Sequence, residues 1–360
     1  MSSMQRYGVI MAGGGGTRFW PLSRQKTPKQ MLNLTGKGLM INETIDRMAT
    51  AVPMENIFVV TAAVQAPQML EATAGRIRPD HVLAEPAARN TAACIGYAAT
   101  EIVRKYGDGV MVITPADHYI RDIGTLTGLF NTAIEAAEQT SKLVTIGVTP
   151  TFPSTGFGYI KYSKGEAPAK PVVEFKEKPD MKTAQQYVTS GEYVWNSGMF
   201  IWKAGTILEK FREYIPDIHA ELEKIGAAMG TENENAVLNE VYPGIRKISI
   251  DYAVMEPSAS RGDVLTVPGA FGWNDIGSWD MMTVLHDADE DGNVLMGNTL
   301  TVNTTNSICY SSGKLVSVVG LDNIIVVETP DAIMVCPKHQ AQDVKLIVDK
   351  LAEQNKKEYL

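Results

Sequence analysis

Four consecutive glycines, Gly13 to Gly16, stand between the apolar run Val9-Ile10-Met11 and the stretch Thr17-Arg18-Phe19-Trp20-Pro21-Leu22-Ser23-Arg24. The apolar run reads as the end of a buried strand, and a turn without side chains leaves its backbone N–H groups free to approach a ligand. Such groups carry partial positive charge, and glycine tolerates the dihedrals they need, so a glycine turn after a strand makes an anion site. Arg18, Arg24, Lys26 and Lys29 supply fixed cations in the same stretch. The simplest ligand is a polyphosphate. Two commoner glycine loops do not fit. A dinucleotide fingerprint beginning at Gly13 or Gly14 meets Arg18 or Phe19 where its third glycine belongs, and no acidic residue follows at the ribose position. A P-loop needs Gly-Lys-Ser/Thr after its first glycine, where this chain has Thr17-Arg18-Phe19.

Charge sharpens the point. A formal net charge of -8 argues against a nucleic-acid binder, which needs an excess of surface Lys and Arg against phosphates. An acidic protein that handles anionic substrates must gather its cations locally and recruit a metal, and the glycine-loop cluster meets that demand. With 360 residues and 44% hydrophobic content the chain can bury a large core, as one domain with an appendage or as two. Cys94, Cys309 and Cys336 are far apart and lack metal-ligand spacing, so they read as thiols in a reducing compartment. No run approaches a bilayer span and no charged-then-apolar leader precedes Tyr7. The expected location is the cytoplasm, with no membrane association.

Through the first half, continuous apolar runs alternate with amphipathic stretches, as expected of βαβ units and a mainly parallel mixed sheet. Helices are expected near 41–51, 64–77, 125–140 and 182–190, and over much of 204–240. Strands are expected at 56–61, 81–84, 109–114, 143–148 and 172–175. Glu85-Pro86-Ala87-Ala88-Arg89-Asn90-Thr91 leads into another helix, which Asn90 or Thr91 can cap. Asp117 falls just beyond a buried strand, where a carboxylate points into the ligand crevice of an open α/β sheet; a hard oxygen donor there suits Mg²⁺. His118 receives no chemical role. Gly158, between β-formers, lets backbone amides approach hydroxyl groups closely. Lys176-Glu177-Lys178-Pro179, Trp195-Asn196-Ser197-Gly198-Met199-Phe200, Ser249-Ile250-Asp251-Tyr252-Ala253-Val254-Met255-Glu256 and Gly272-Trp273-Asn274-Asp275-Ile276-Gly277-Ser278-Trp279 follow as separate polar islands. Asp251 either caps a helix or faces the site. From Gly297 short β-rich runs recur between Asn, Gly, Ser and Asp, as in a small β-helix or a compact antiparallel unit, before a terminal helix near 340–355.

The glycine-loop stretch closely resembles the GGxGTRLWPLSRxxxPKQ signature of nucleotidyltransferases that make sugar nucleotides, with Phe19 in place of the usual Leu. Among these the chain is most similar to the mannose-1-phosphate guanylyltransferases. The resemblance runs through separated motifs over about residues 7–290 and more loosely through the β-rich tail. It implies a Rossmann-like nucleotidyltransferase domain at 1–290 and a partial left-handed β-helix with a terminal helix at 291–360, the latter used in a homodimer. It implies that Gly13, Gly14, Gly15, Gly16 and Thr17 hold a triphosphate with Arg18 and Lys29, and that Glu85, with Asn90 and Thr91, reads guanine. Glu177 and Asn196 would hold sugar hydroxyls beside Gly158, and Lys178 the sugar phosphate. Asp117 and Asp275 would be the two Mg²⁺ ligands.

The expected reaction joins GTP and α-D-mannose 1-phosphate to give GDP-mannose and pyrophosphate, by in-line attack of a sugar-phosphate oxygen on the α-phosphorus. No covalent enzyme intermediate is required. Longer relatives append an isomerase domain, and this chain is expected to lack that activity. The alternatives are another hexose 1-phosphate or nucleotide, or a catalytically silent nucleotide-sugar-binding regulator. A silent regulator would be expected to have lost Lys29, Asp117, Lys178 or Asp275, and all four are present.

Overall fold

A computed structural model describes residues 4–360. Val9 and Ile10 lie side by side in β1 (Arg6–Ala12) and are both fully buried, because alternate side chains enter cores on opposite faces of one sheet. This is why the strands read as continuous apolar runs. On one face Val9, Phe58 and Met111 pack with the helix Asn90–Tyr106; on the other Ile10, Val59 and Val112 meet Ile41 and Ile45 of the helix Met40–Met48. Each such side chain contributes roughly 1.5–3 kcal/mol by leaving water.

The neighbours of β1 are β2 (Ile57–Ala62) and β4 (Val110–Pro115), with β3 (Val82–Glu85) outside β2, all parallel. Beyond a short β5 (Tyr119–Ile120) come β6 (Leu143–Val148), β7 (Tyr159–Tyr162), β8 (Lys170–Lys176), β9 (Tyr193–Lys203), β10 (Val264–Gly269) and a short β11 (Trp273–Asn274). The nine-stranded sheet has the order β3-β2-β1-β4-β9-β6-β10-β8-β7. The mainly parallel expectation holds for the first four strands and for β6–β10. Antiparallel pairing enters with β9, which inserts between β4 and β6, and with β7 and β8 at the far edge. The helix expected at 64–77 is shorter, Ala66–Ala72, because Ala74 and Gly75 turn to positive φ.

After Asn293 the chain coils. Parallel pairing of β12 (Val294–Met296), β14 (Ile308–Ser311) and β16 (Ile324–Glu328) stacks the fully buried Val294, Ile308 and Ile325 in one column. A second parallel pair, β13 (Thr299–Val302) with β15 (Val316–Val319), forms another wall, and β17 (Ile333–Pro337) closes the first wall antiparallel to β16. The terminal helix occupies Val344–Glu353, after a 3₁₀ segment at Lys338–Asp343. The interior of the coil is continuous with the glycine-loop stretch: Phe19, Trp20 and Leu32 share a core with Trp279, Ile325, Val327 and Val344.

Candidate active site

The glycine loop leaves the C-terminal end of β1 and is held from below. Gln30 Nε2 donates to the carbonyls of Ala12 (2.6 Å) and Gly14 (3.2 Å), which commits those oxygens inward. Gly13, Gly14 and Gly15 are exposed, as is Thr17 in the short 3₁₀ turn Thr17–Phe19. Gly16 has φ 59°, and a β-carbon there would overlap Lys29 Cβ, so both conformation and space demand glycine. Lys29 is 4% exposed. Its ammonium donates to Asp117 Oδ2 (2.9 Å), the Asp117 carbonyl (2.9 Å) and the Asp275 carbonyl (2.6 Å), which engages all three of its protons.

Asp117 and Asp275, distant in sequence, are brought together by a small ribbon. Asn274 of β11 pairs with Tyr119 of β5 and Trp273 with Ile120, so the residues just beyond the paired ends face each other. Thr44 and Arg47 of the helix Met40–Met48 grip this loop from behind, through hydrogen bonds to the carbonyls of Ala116 and His118. Burial, the largest single influence, would raise the Asp117 carboxyl; the Lys29 ammonium, His118 and the local hydrogen bonds together outweigh it and hold the pKa below the usual value. Asp275 goes the other way, raised by burial, with Asp117 adding to the shift and Lys29 opposing it. Two neighbouring carboxylates of hard oxygen character beside one buried ammonium are a donor set that fits Mg²⁺. His118 accepts a hydrogen bond from Trp273 Nε1 at 3.1 Å, and burial lowers its pKa to about 4; it is a neutral packing group.

Two cavities open on either side of Met11, Thr91 and Pro115, which line both. The first, of about 360 Å³, is bounded by Gly13, Gly14, Glu85, Arg89, Asn90 and Lys247. Glu85 ends β3 and is 7% exposed; it accepts a hydrogen bond from the Tyr242 hydroxyl. Burial lifts its pKa to about 7, and the Tyr242 bond only partly offsets this. The helix after it starts differently from expectation. Neither Asn90 nor Thr91 caps it: Asn90 takes φ 67° with its side chain on the Thr91 N–H, while the Thr91 hydroxyl accepts from the Ile250 N–H at 2.9 Å. The bond from Thr91 ties the helix start to the Ser249–Asp251 segment, a tertiary use of a hydroxyl that local capping rules do not anticipate.

The second cavity, about 240 Å³, contains Gly158, Glu177, Lys178, Asn196, Asp251 and Asp275. A β-carbon on Gly158 would overlap Glu177 Oε1, so the glycine makes room for that carboxylate. Asn196 lies in β9 beside an irregularity in its pairing with β6, and its amide donates to Asp251 Oδ1 at 2.8 Å. Asp251 therefore faces the cavity and caps nothing; burial and then the Glu177 charge raise its pKa to about 6. Lys178 is 63% exposed, 3.6 Å from Glu177 Oε2, with φ 45°. A lysine in that left-handed region costs roughly 1–2 kcal/mol, and such strain gathers at functional sites.

Comparison with known proteins agrees with this geometry. Residues 7–292 match the nucleotidyl transferase family model, and 297–351 match the mannose-phosphate isomerase/GMP-like β-helix domain. A mannose-1-phosphate guanylyltransferase of Escherichia coli K12 is 38% identical over 374 residues, covering 100% of this chain and 76% of its own. The chain belongs to the mannose-1-phosphate guanylyltransferase family. The xanthan biosynthesis protein XanB of Xanthomonas campestris pv. campestris B100 is 39% identical over 97% of this chain and 74% of its own. A crystal structure from Thermus thermophilus, described as a mannose-1-phosphate geranyltransferase, superposes with a TM-score of 0.86 at 33% identity, over 97% of this chain and all of that one.

Of the residues expected at the site, Gly13, Gly14, Glu85, Asn90, Thr91, Gly158, Glu177, Lys178, Asn196 and Asp275 line the two cavities, whereas Gly15, Gly16, Thr17, Arg18, Lys29 and Asp117 lie outside those linings. No local sequence signal singles out Tyr242, Lys247 or Arg47, and Gln30 enters only as the last residue of the glycine-loop signature. Tyr242 sits among helical residues with no local signature, and a lone buried arginine on an amphipathic helix is invisible until its partners are seen. Sequence alone does not decide Asp251, because a helix start and a cavity wall leave the same local trace.

Proposed function

We propose that this protein transfers GMP from GTP to α-D-mannose 1-phosphate, giving GDP-mannose and pyrophosphate. The observation that carries the reading is the pair of cavities that share Met11, Thr91 and Pro115, with a buried carboxylate at the far end of one and a cluster of sugar-type hydrogen-bonding groups in the other. Ionised Glu85 accepts from guanine N1–H and N2–H. Adenine offers no matching pair of donors and leaves the buried carboxylate unpaired, which is the kind of difference that discriminates strongly. Glu177, Asn196 and Asp251 hold the hexose hydroxyls, and Lys178 steers the attacking phosphate.

Two polyanions repel one another, so most of the catalytic work is neutralisation and alignment. The amides of Gly14 to Thr17 and the Arg18 guanidinium hold the β- and γ-phosphates and stabilise the departing pyrophosphate. Lys29 keeps the Asp117 and Asp275 loops in register and reaches the triphosphate by releasing one of its protein acceptors. Mg²⁺, held by Asp117 and Asp275, supplies charge neutralisation when bound. No nucleophilic side chain is needed, and the buried Cys94 is pushed away from thiolate by its surroundings.

We read the assembly as a homodimer. Leu300, Val302 and Val319 are exposed on neighbouring strands of the coil, an apolar face suited to a second copy. No helix among the described residues is long and apolar enough to cross a membrane, and the three cysteines are free, as fits the cytoplasm.

The test is pyrophosphate release by the purified protein with Mg²⁺, crossing GTP, ATP, UTP and dTTP against mannose 1-phosphate and glucose 1-phosphate. Release confined mainly to GTP with mannose 1-phosphate is expected. Release with another pair would retain the mechanism and overturn the Glu85 and Asn196 assignments; none with any pair would favour a silent binding protein.

A further inference from the structure

Arg18 does not stand free beside the glycine loop. Its Nη1 donates to Gln342 Oε1 at 2.7 Å, across 324 positions of sequence, from the 3₁₀ segment that follows the C-terminal coil. The Gln342 amide is oriented on both sides. A guanidinium can only donate, so the amide oxygen must face Arg18. The amide nitrogen then donates to Ser278 Oγ at 2.7 Å, and the Ser278 hydroxyl donates in turn to the Asp280 carboxylate. Ser278 lies in the segment after Asp275, and a β-carbon on the intervening Gly277 would sit 3.4 Å from Asp275 Oδ2 and 3.5 Å from Arg18 Nη1. Gln342 thus joins the glycine loop to the loop carrying a metal-ligand carboxylate.

The residues after Arg18 are fixed by the C-terminal unit together with the Ser278 loop it holds. Phe19 packs against Trp279, with ring centroids 5.4 Å apart, and Trp20 Nε1 donates to the Tyr359 carbonyl at 2.9 Å. Arg24 Nη1 donates to that carbonyl as well, at 2.7 Å. The C-terminal unit is therefore the wall against which the outer half of the glycine loop is set.

We propose that Gln342 is a positioning residue for Arg18, so that the C-terminal coil completes the triphosphate and pyrophosphate site. This rests on the role given to Arg18 under the proposed function. An amide suits that role because it orients a guanidinium without cancelling its charge, whereas a carboxylate would pair with Arg18 and repel the incoming phosphates.

The experiment compares wild type, Gln342→Ala, Gln342→Glu, Arg18→Ala and the Arg18→Ala/Gln342→Ala double variant in both directions of the reaction, with melting temperatures. Gln342→Ala is expected to raise KM for GTP and for pyrophosphate about three- to tenfold, leaving KM for mannose 1-phosphate and the melting temperature close to wild type. Gln342→Glu, which preserves shape and adds charge, should be worse. The double variant should be no worse than Arg18→Ala alone, the signature of two residues acting as one unit. An impaired Arg18→Ala beside a Gln342→Ala with unchanged KM for both GTP and pyrophosphate overturns the inference alone. An Arg18→Ala indistinguishable from wild type overturns the role of Arg18 and the inference with it. Loss of melting temperature with equal damage to all substrates reduces Gln342 to a structural contact and also overturns it.

Discussion

On the proposed function, Glu85 makes guanine recognition sensitive to pH near neutrality. Its pKa stands at about 7 against an ordinary 4.5, a difference worth roughly 3 kcal/mol between its charged and neutral forms in the empty pocket. Burial is the cause, opposed by the Tyr242 hydroxyl. Nearby Cys94, Tyr97 and Tyr242 are all pushed further from ionisation by burial, so they stay neutral across the range that matters. Guanine needs the carboxylate, so binding expels the Glu85 proton, and affinity must fall as pH drops below the pKa of the empty pocket. With a pKa of about 7, roughly one-tenth of the protein is ionised at pH 6 and nine-tenths at pH 8, so affinity should rise about tenfold across that interval. GDP-mannose is the right ligand for calorimetric titration, because its diester phosphates do not titrate there, whereas the terminal phosphate of GTP does. Glu85→Gln is the control. It should bind GDP-mannose far more weakly, and the Glu85 share of the slope should vanish; what remains reports Asp251, with its pKa of about 6. A wild-type affinity that is flat from pH 6 to pH 8, or a slope unchanged in Glu85→Gln, would refute the reasoning. Stability responds in the opposite sense. The empty fold holds the Glu85 proton more tightly than the unfolded chain, so this group's contribution is fully present below about pH 4.5 and is lost as pH rises through about 7.

Asp117→Asn keeps an acceptor for Lys29 while removing charge, so Mg²⁺-dependent turnover should fall on the order of a hundredfold or more with little change in melting temperature; near-normal turnover would sink the metal assignment. For Lys178→Ala, KM for mannose 1-phosphate should rise and kcat fall, while GTP binding stays intact in a direct titration, and an unchanged sugar-phosphate KM would count against its role. Gly158→Ala places a methyl group on Glu177 Oε1. The carboxylate must swing away, so KM for the sugar phosphate should rise about tenfold with KM for GTP unaffected; equal damage to both substrates would show that the loop had collapsed.

Much of the site was legible in the chain because its pieces are local. A strand ending in four glycines, a carboxylate just past an apolar run, and a glycine between β-formers each express short-range chemistry; Gly13, Gly14 and Gly158 line the cavities, and Asp117 sits beside them, held by Lys29. The structure departed from expectation where a side chain had a distant partner. Thr91 looked like a helix cap and instead receives the Ile250 N–H, and Asp251, which the sequence leaves open between helix cap and site, meets Asn196.

By itself the sequence determined the sheet-forming runs, the bare glycine loop and the chemical identity of the groups that line the candidate site, since propensity and glycine conformation act over a few residues. Only the tertiary structure decided what those groups face. The β5–β11 ribbon sets Asp275 opposite the Asp117 loop, Tyr242 closes on Glu85, and the C-terminal coil delivers Gln342 to Arg18. Each pairing joins segments far apart along the chain. It exists because burying apolar faces on both sides of one sheet, and inside one coil, leaves those segments no other place to meet.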